Sequence, residues 1–534
     1  MPRSSLSPLT LVAGAIALFW YGLGRPVPLP PSPLGPGAKL TCISYAPFHD
    51  DQAPFTWNLR IPDDQIRDDL ARLSRLTACV RTYSARGPQG RVTALAAERG
   101  LKVMQGIWLG RNRAENRREI EAALRLARRH PDTVEVLIVG NEALLRGELS
   151  AAKIGAYLQE VRRRSAHPVT YADVWEFWLK APQLASAADF VTIHILPYWE
   201  DDPVPEADAI AHVKAVRAKL QAAFPGKEVW IGEVGWPSRG RMREGALPSP
   251  VNQARFLSSV LQAAEDGNWK MNLVEAFDQP WKRVLEGTVG GYWGLFDDRR
   301  REPKFRFGGA VSNHPDWKLK AGLGIAAAFL VFVSYLLGLR QSRREPSWRR
   351  DLAAAIVALA AGLVFGSAAI NLPAEGELPV DRLRAVFMFV LALVVPMAAA
   401  FALARGDRLT GFAPALDPAS WRRTDRVGPA LAALLAATFI AAMHVALGLV
   451  FDPRYKDFLF AALLGPVIAF AILASINGKE VWPGAAETVA AVLLAGAALF
   501  IIVNEGLANW QALLFGGLLV TLALTCLRVK VSPG

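Results

Sequence analysis

The pattern of apolar and polar positions changes abruptly near residue 318 of this 534-residue chain. Before that point, short apolar runs alternate with segments in which apolar residues recur every three or four positions. Such alternation predicts β-strands that are each followed by an amphipathic helix. After that point, the chain consists of long runs of Ala, Leu, Val, Phe and Gly separated by short polar loops. Runs of this length and composition predict membrane-spanning helices.

The first part of the chain contains eight strand-like runs. They cover residues 40–46, 78–84, 101–110, 134–143, 168–175, 189–199, 228–236 and 272–281. Continuous apolar strands that alternate with helices indicate a parallel sheet covered on its other face, and eight such units fit a closed (β/α)8 TIM barrel. An open doubly wound sheet is the alternative. No glycine-rich phosphate-binding sequence follows the first run, which argues against a nucleotide-binding form of that alternative.

Eight apolar runs are candidate membrane spans, since a span needs about 17–25 residues. They lie near residues 9–24, 319–339, 352–370, 383–404, 429–451, 458–476, 485–503 and 510–527. The first resembles a signal peptide, but a proline-rich stretch follows it instead of a small-residue cleavage site, so we expect an uncleaved anchor. The predicted organisation is a transmembrane anchor (1–24), a semi-rigid linker (25–37), the barrel (38–313) and an all-α, seven-span transmembrane domain (318–530).

The net charge is +12, and much of the excess arginine lies in short loops between apolar runs, which indicates membrane topology and not nucleic-acid binding. Loops expected in the cytoplasm hold Arg3, Arg340, Arg343, Arg344, Arg349, Arg350, Arg405, Arg408, Arg422, Arg423, Arg426, Lys479, Arg528 and Lys530. The opposite loops hold Glu375, Glu377 and Asp381 with few basic residues. The positive-inside rule then predicts that both termini are cytoplasmic and that residues 25–317 are translocated.

Aromatic, polar and charged residues fall where the predicted strands end, which is where the chemistry of this fold is carried out. In chain order they are Tyr45, Arg81, Tyr83, Trp108, Asn141, Glu142, Asp173, Trp175, Tyr198, Trp199, Glu233, Trp236, Glu275, Asp278 and Trp281. Sugars stack their C–H faces on aromatic rings and bind carboxylates through hydroxyls, so this ring predicts a saccharide groove. Core packing is the alternative for any single tryptophan. Glu142 and Glu233 end the fourth and seventh strands and are expected to face each other across a bound sugar, as retaining glycoside cleavage requires.

Several motifs resemble those of a known family. GNEAL (140–144) resembles the Asn-Glu acid/base motif of (β/α)8 glycoside hydrolases. GEVGWPS (232–238) resembles the nucleophile motif of glycoside hydrolase family 17, the β-1,3-glucanase and glucanosyltransferase family. VRTYS, LPYW and FDQPWK also match that family, and the resemblance covers about residues 38–310. It implies that Glu142 is the acid/base, Glu233 the nucleophile and Asn141 a partner of the sugar 2-hydroxyl.

The sequence departs from this family near the sixth and eighth strands. Gln279 stands where plant members carry a glutamate, although the lysine that follows is kept as Lys282. Glu286 could replace a further family glutamate, and His194 stands where plant members usually carry asparagine. For Glu275, Asp278 and Lys282, sugar binding and an ion pair at the barrel rim remain alternatives.

A barrel of this family followed by many spans resembles bacterial membrane proteins implicated in making periplasmic β-(1,3)/(1,6)-glucans, including those of rhizobial type. The resemblance implies a retaining transglucosylase that acts on β-1,3-glucan through a covalent glycosyl-enzyme intermediate. It would remodel, elongate or branch (β-1,6) the glucan. Rings that hold an acceptor could come from Trp175, Trp178, Trp199 and Trp281. An endo-β-1,3-glucanase is one alternative, and a non-catalytic glucan-binding or export component is another.

The expected location is a bacterial inner membrane, with several spans and the barrel in the periplasm. The expected partners are a β-glucan, the lipid bilayer and a membrane glucan synthase. Nucleic acid, metals and cofactors are not expected.

Three cysteines match neither a zinc site nor a disulfide scaffold by their spacing. Cys42 and Cys79 lie in consecutive predicted strands, and Cys526 lies in an apolar run. We expect Cys42 and Cys79 to be two buried free thiols, with a bridge between them as the alternative.

Overall fold

The computed structural model describes residues 6–50, 52–298, 302–342, 345, 347–375, 379–422, 424–477 and 483–529. It divides into two compact units. A barrel unit comprises Val27–Gly240 and Gly245–Val311, and a helical unit comprises Met1–Pro26, Arg241–Glu244 and Ser312–Gly534. Some residues behind the topology prediction lie outside the described residues: Arg3, Arg343, Arg344, Glu377, Arg423, Lys479 and Lys530. The orientation across the membrane and the functional domain boundaries stay predictions.

The barrel unit contains a closed ring of eight strands, which confirms the predicted fold class and excludes the open sheet. The strands are β1 (Ile43–Ser44), β2 (Cys79–Arg81), β3 (Lys102–Ile107), β4 (Val134–Asn141), β5 (Val169–Val174), β6 (Val191–Ile195), β7 (Val229–Val234) and β8 (Met271–Leu273). Neighbouring strands are parallel, and β8 closes the ring by pairing Leu273 with Ile43. The strands are shorter than the predicted runs because the last residues of several runs leave the ladder to form the barrel mouth.

Helix α1 (Leu6–Gly24) precedes the barrel and belongs to the helical unit. Within the barrel unit the helices are α2 (Asp63–Leu73), α3 (Val92–Ala97), α4 (Arg113–Arg129), α5 (Ala151–Arg164), α6 (Trp175–Lys180), α7 (Leu184–Ala187), α8 (Glu206–Ala223), α9 (Pro250–Gly267) and α10 (Arg283–Gly290). Short 3₁₀ helices cover Gln89–Arg91 and Pro280–Lys282. Local sequence fixes several starts: the side chain of Asn112 caps α4, and Ser249 caps α9 ahead of Pro250.

Cys42 and Cys79 form a disulfide, with their Cα atoms 4.4 Å apart. The expectation of two free thiols is therefore wrong. The register of β1 against β2 pairs Ile43 with Val80, which places the preceding cysteines side by side on one face. Sequence spacing does not reveal this register. Cys526 is free and buried, as expected.

The proline-rich segment after α1 is attached to the barrel unit and is not a free spacer. Val27–Pro28 pairs with Ala310–Val311 in a two-stranded antiparallel sheet. Leu29 is buried in a small cluster with residues of α9. The apolar residues between the prolines account for this difference, because burying them against the barrel is favourable.

All eight predicted spans form helices in the helical unit. After α1 they are α11 (Trp317–Gln341), α12 (Trp348–Asn371), α13 (Pro379–Arg405), α16 (Val427–Phe451), α17 (Phe460–Asn477), α18 (Ala485–Glu505) and α19 (Trp510–Leu527), with the short helices α14 (Ala413–Leu416) and α15 (Pro418–Arg422) between α13 and α16. Among the described residues, six helices are long and apolar enough to cross a membrane, while α1 and α17 are apolar but shorter. The protein therefore has the composition of a multi-pass membrane protein.

Candidate active site

Glu233 lies near the end of β7, with 7% of its surface exposed. Its Oε1 accepts hydrogen bonds from Arg81 Nη1 at 2.9 Å and from the Tyr83 hydroxyl at 3.0 Å. Burial alone would raise the pKa of Glu233, but the imidazole of His194 and the charges of Arg81 and Lys282 outweigh burial and lower this pKa. The carboxylate is thus kept ionised, as a nucleophile must be.

Arg81 joins three strands behind the carboxylate of Glu233. Besides that carboxylate, its guanidinium donates to the Gly232 carbonyl at 2.7 Å and to Asn141 Oδ1 at 2.5 Å. Only 1% of Arg81 is exposed, so it supports the site from below and has almost no surface for the predicted contact with sugar. Because arginine only donates, Asn141 must present its oxygen to Arg81, which leaves its amide N–H groups for a ligand.

The backbone at Glu142 has an unusual conformation. The pairing of β4 with β5 shifts register between Ile138 and Asn141, and such a bulge re-aims the side chains that follow. Glu142 has φ = 52°, in the left-handed region that non-glycine residues seldom adopt. Its N–H donates to the Ala172 carbonyl at 2.8 Å, and its carbonyl accepts from the Arg146 N–H at 2.9 Å. A strained backbone held by its neighbours is a recurrent feature of functional sites.

His194 of β6 lies between the two carboxylates. Its Nδ1 is 2.7 Å from Glu142 Oε1, and its Nε2 is 3.7 Å from Glu233 Oε1. Arg81 Nη2 also approaches Nε2 at 3.4 Å. An N–H group at Nδ1 donates to Glu142 both in the charged imidazole and in the neutral form that carries its proton there. In the sequence, His194 stands out only as a departure from plant members of the family. The available signal was an imidazole inside an otherwise apolar strand.

One oxygen of Glu142, one ring nitrogen of His194 and one oxygen of Glu233 lie within 4.8 Å of one another. Carboxylates and imidazole are also metal ligands, so these three side chains are a candidate metal site by type and distance. The positively charged guanidinium of Arg81 donates to Glu233 and approaches Nε2 of His194, so it would repel a cation at this position. This arrangement suits proton and glycosyl transfer better than metal binding.

Asp173, predicted as a sugar ligand, supports the turn that carries Glu142. It is fully buried and accepts hydrogen bonds from the Tyr171 hydroxyl and from the backbone N–H groups of Leu144 at 3.2 Å and Leu145 at 3.4 Å. Burial raises its pKa. Its place in the structure is therefore beneath the turn that carries Glu142 and not on the cleft surface.

The charged residues after β8 form ion pairs. Lys282 Nζ contacts both oxygens of Glu275, at 2.8 and 2.9 Å, and burial raises the pKa of Glu275 to about 7. Lys304 Nζ lies 2.6 Å from Asp278 Oδ1, and burial raises the pKa of Asp278 to about 6. Both carboxylates are 2% exposed, so the ion-pair alternative describes them, whereas Lys282 keeps part of its side chain accessible.

The predicted ring of aromatic residues divides into two groups. Tyr45, Tyr198, Trp236 and Trp178 are at most 1% exposed. They therefore belong to the core and offer no face to a sugar. Residues that are distant in sequence surround these rings. For example, the Tyr45 hydroxyl donates to Asp69. The accessible rings are those of Tyr83, Trp108, Trp175, Trp199 and Trp281.

Residues 42–294 match a family model described as the BtgE/BtgC glycoside hydrolase domain. The match and the relatives below support a barrel of the glycoside hydrolase family 17 type. This match covers the strands and both carboxylates of the site, and it agrees with the resemblance seen in the motifs.

The chain is also similar to individual proteins. The chain is 28% identical to the btgC protein of Aspergillus niger over 48% of its own length and 42% of that protein. It thus spans less than half of that relative. It is 25% identical to the glucan 1,3-β-glucosidase of Arthroderma benhamiae, over 52% of this chain and 97% of that one. A solved β-1,3-glucanosyltransferase of Rhizomucor miehei, in complex with laminaritriose, is 24% identical, covers 52% of this chain and 98% of that chain, and has a TM-score of 0.45.

Proposed function

We propose that the family 17 domain is a retaining β-glucan transglucosylase that acts on β-1,3-glucan through a covalent glycosyl-enzyme intermediate. The observation that carries this proposal is the approach of Glu142 and Glu233, whose nearest carboxylate oxygens lie within 4.8 Å. Retaining enzymes place the two carboxyl groups about 5–5.5 Å apart, whereas inverting enzymes need about 6.5–9.5 Å to admit a water molecule.

In the first step, a carboxylate oxygen of Glu233 attacks the anomeric carbon while the glycosidic C–O bond breaks. Glu142 gives its proton to the leaving oxygen, and an ester to Glu233 remains. In the second step, an acceptor hydroxyl attacks that carbon, Glu142 takes the hydroxyl proton, and the ester bond breaks. Asn141, oriented by Arg81, donates to the 2-hydroxyl of the reacting sugar.

Transfer is favoured over hydrolysis by the aromatic residues on the Glu142 side of the mouth. Trp108 follows β3, Trp175 follows β5 and Trp199 follows β6, and β3 and β5 flank the strand that precedes Glu142. The leaving group and the incoming acceptor both bind on this side, because Glu142 exchanges a proton with each. Rings placed there would hold a sugar acceptor where water would otherwise react. Relatives named as glucan 1,3-β-glucosidases support β-1,3-glucan as the substrate.

The cellular setting belongs to the same proposal. We place the helices in a bacterial inner membrane, the family 17 domain in the periplasm and both termini in the cytoplasm. The Cys42–Cys79 bridge supports this, since disulfides persist in oxidising compartments. A nascent glucan from a membrane glucan synthase would be the substrate, which the enzyme remodels, elongates or branches through β-1,6 linkages. A reporter that works only in the cytoplasm should then be active when it is fused after Gly534. A reporter that works only in the periplasm should be inactive at the same position.

Product analysis of the full-length protein tests the activity. Purified in detergent and given a high concentration of laminari-oligosaccharide, it should form products longer than the donor, whose linkages can be read by NMR. Glu233→Gln serves as the inactive control. If only shorter products appear at every concentration, the protein is an endo-β-1,3-glucanase. If neither longer nor shorter products form, the non-catalytic glucan-binding or export alternative stands.

A further inference from the structure

The loop between β1 and α2 presents two bare aromatic rings. Phe55 is 62% exposed and Trp57 is 88% exposed, the highest values among the large apolar side chains in the described part of the barrel unit. Large rings held in water are unfavourable for a soluble domain, and grouped exposed apolar side chains usually mark a binding surface. Neither residue has a role in the chemistry described above.

This loop is ordered by hydrogen bonds at its base. Gln65 of α2 donates to the Pro47 carbonyl at 2.8 Å and to Gln52 Oε1 at 2.8 Å. The backbone N–H of Asp50 donates to Asp298 Oδ2 at 2.9 Å. The exposed rings are therefore presented from a fixed support, and a ligand that binds them loses little affinity to ordering of the loop.

The rings continue into the active site through Trp281. Phe55 meets Trp281 edge to face, with ring centroids 5.8 Å apart, and the buried Phe48 meets it similarly at 6.2 Å. The indole N–H of Trp281 donates to Gln279 Oε1 at 2.7 Å, which fixes its orientation. The next residue, Lys282, is one of the cations that lower the pKa of Glu233.

The ring order of the barrel decides which part of a glucan would reach these residues. β8 and β1 are neighbours, and they lie across the ring from β4, which leads to Glu142. Glu142 protonates the leaving oxygen, so the leaving group extends toward the β4 side. The part of the donor that stays on Glu233 must extend the other way, toward β8 and β1.

We propose that Phe55, Trp57 and Trp281 form a platform for the non-reducing part of a β-glucan donor, beyond the sugar bound at Glu233. The C–H faces of glucose units stack on such rings, and the platform would make long donors better substrates than short ones. This inference rests on the proposed function. A lipid surface is the competing occupant, since Val284 and Leu285, which follow Trp281, are 46% and 59% exposed.

The test measures binding separately from turnover. In the full-length Glu233→Gln protein in detergent, calorimetry with laminari-oligosaccharides of increasing length should show affinity that rises with length. Adding Trp57→Ala should lower the affinity for long oligosaccharides about tenfold and leave short ones unchanged, whereas Trp57→Tyr should retain most of the affinity. In the active protein, Trp57→Ala should raise KM for long donors by a similar factor without changing kcat.

Two matched controls remove an exposed apolar side chain elsewhere. Leu285→Ser lies beside the platform but lacks a ring, and Trp348→Ala removes a 70% exposed tryptophan from the helical unit. Both should bind like the parent protein. The platform is refuted if Trp57→Ala binds all lengths normally, if Leu285→Ser causes the same loss, or if the loss appears only in lipid nanodiscs. The product assay is scored separately: a platform effect without elongated products overturns only transfer, and elongated products without a platform effect overturn only the platform.

Discussion

The surroundings of Glu233 and those of Glu142 differ in the number and kind of their contacts. The Glu233 side chain is 10% exposed and is bonded to Arg81 and Tyr83 from two directions. The Glu142 side chain is 23% exposed, and its close partner is His194. The strand before each carboxylate has a register shift, but of the two residues only Glu142 has a left-handed backbone.

This difference fits the two chemical tasks that we propose for Glu233 and Glu142. A nucleophile must stay charged and aimed at one atom, which a dense set of donors ensures. An acid/base must exchange its proton with a leaving group and then with an acceptor, so it needs access and fewer fixed hydrogen bonds. The first four substitutions below test whether the two carboxylates differ in this way, and the fifth tests a buried carboxyl group outside the site.

Glu233→Gln should have the largest effect, because no bond to the anomeric carbon can form. We expect turnover of laminari-oligosaccharides to fall by about four orders of magnitude or more, measured by product analysis. Glu228→Gln, at the start of the same strand and 51% exposed, should retain activity. Substantial residual cleavage by Glu233→Gln would show that another group is the nucleophile.

Glu142→Gln should separate the two tasks. Turnover of natural glucan should fall by about 10²- to 10⁴-fold, because the leaving oxygen no longer receives a proton. A laminari-oligosaccharyl fluoride needs no such proton, so its first step should remain fast in a stopped-flow measurement of fluoride release. Equal losses with both donors would contradict the acid/base assignment.

Arg81→Lys tests the support beneath Glu233. Lysine keeps the charge but cannot bond Glu233, Gly232 and Asn141 together, so kcat should fall about 10- to 100-fold with KM nearly unchanged. Arg86→Lys, a 42% exposed arginine after the same strand, is the matched control. A change in KM alone would indicate the direct sugar contact predicted from the sequence.

His194→Ala tests the close partner of the Glu142 side chain. Loss of the donor at Nδ1 should lower kcat about tenfold, and His194→Asn should recover most of it by restoring an N–H donor. Steady-state kinetics with natural glucan and with the laminari-oligosaccharyl fluoride distinguish support of Glu142 from support of Glu233. A loss of equal size in both would place the effect on Glu233 instead of Glu142.

Asp69→Asn should have the smallest effect, on stability and not on chemistry. Burial raises the pKa of Asp69 to about 7, above the value of about 3.9 in an unfolded chain. The folded state then holds this proton more tightly, so its contribution to stability is full below pH 4 and is lost as pH rises through 7. Between pH 4 and pH 8, Tm should fall less in Asp69→Asn than in the parent, by about 2 °C or more.

The exposed Asp64→Asn, on the same helix, should leave this slope unchanged. An unaltered slope in Asp69→Asn would mean that the Asp69 carboxyl titrates normally in the folded protein.

The sequence by itself determined the barrel, the apolar helices and the position of both carboxylates at strand ends. Those features depend on local patterns: apolar runs specify strands, long apolar runs specify spans, and a charge at the end of a buried strand must face the barrel mouth. The motifs around Glu142 and Glu233 then supplied the family. The same local patterns predict that Arg81, Asp173 and Glu275 lie near the barrel mouth. They do not predict how deeply each side chain is buried below the cleft surface.

Only the tertiary structure decided which mouth residues reach solvent and which partners they take. Tyr45 can be buried because Asp69 of the next helix accepts a hydrogen bond from its hydroxyl. Cys42 meets Cys79 because of the register between β1 and β2. His194 lies between the carboxylates because β6 runs beside β7 and pairs it with Glu233. The physical reason is the same in each case: burial, register and hydrogen bonding are set by groups that are distant along the chain and meet only in the closed barrel.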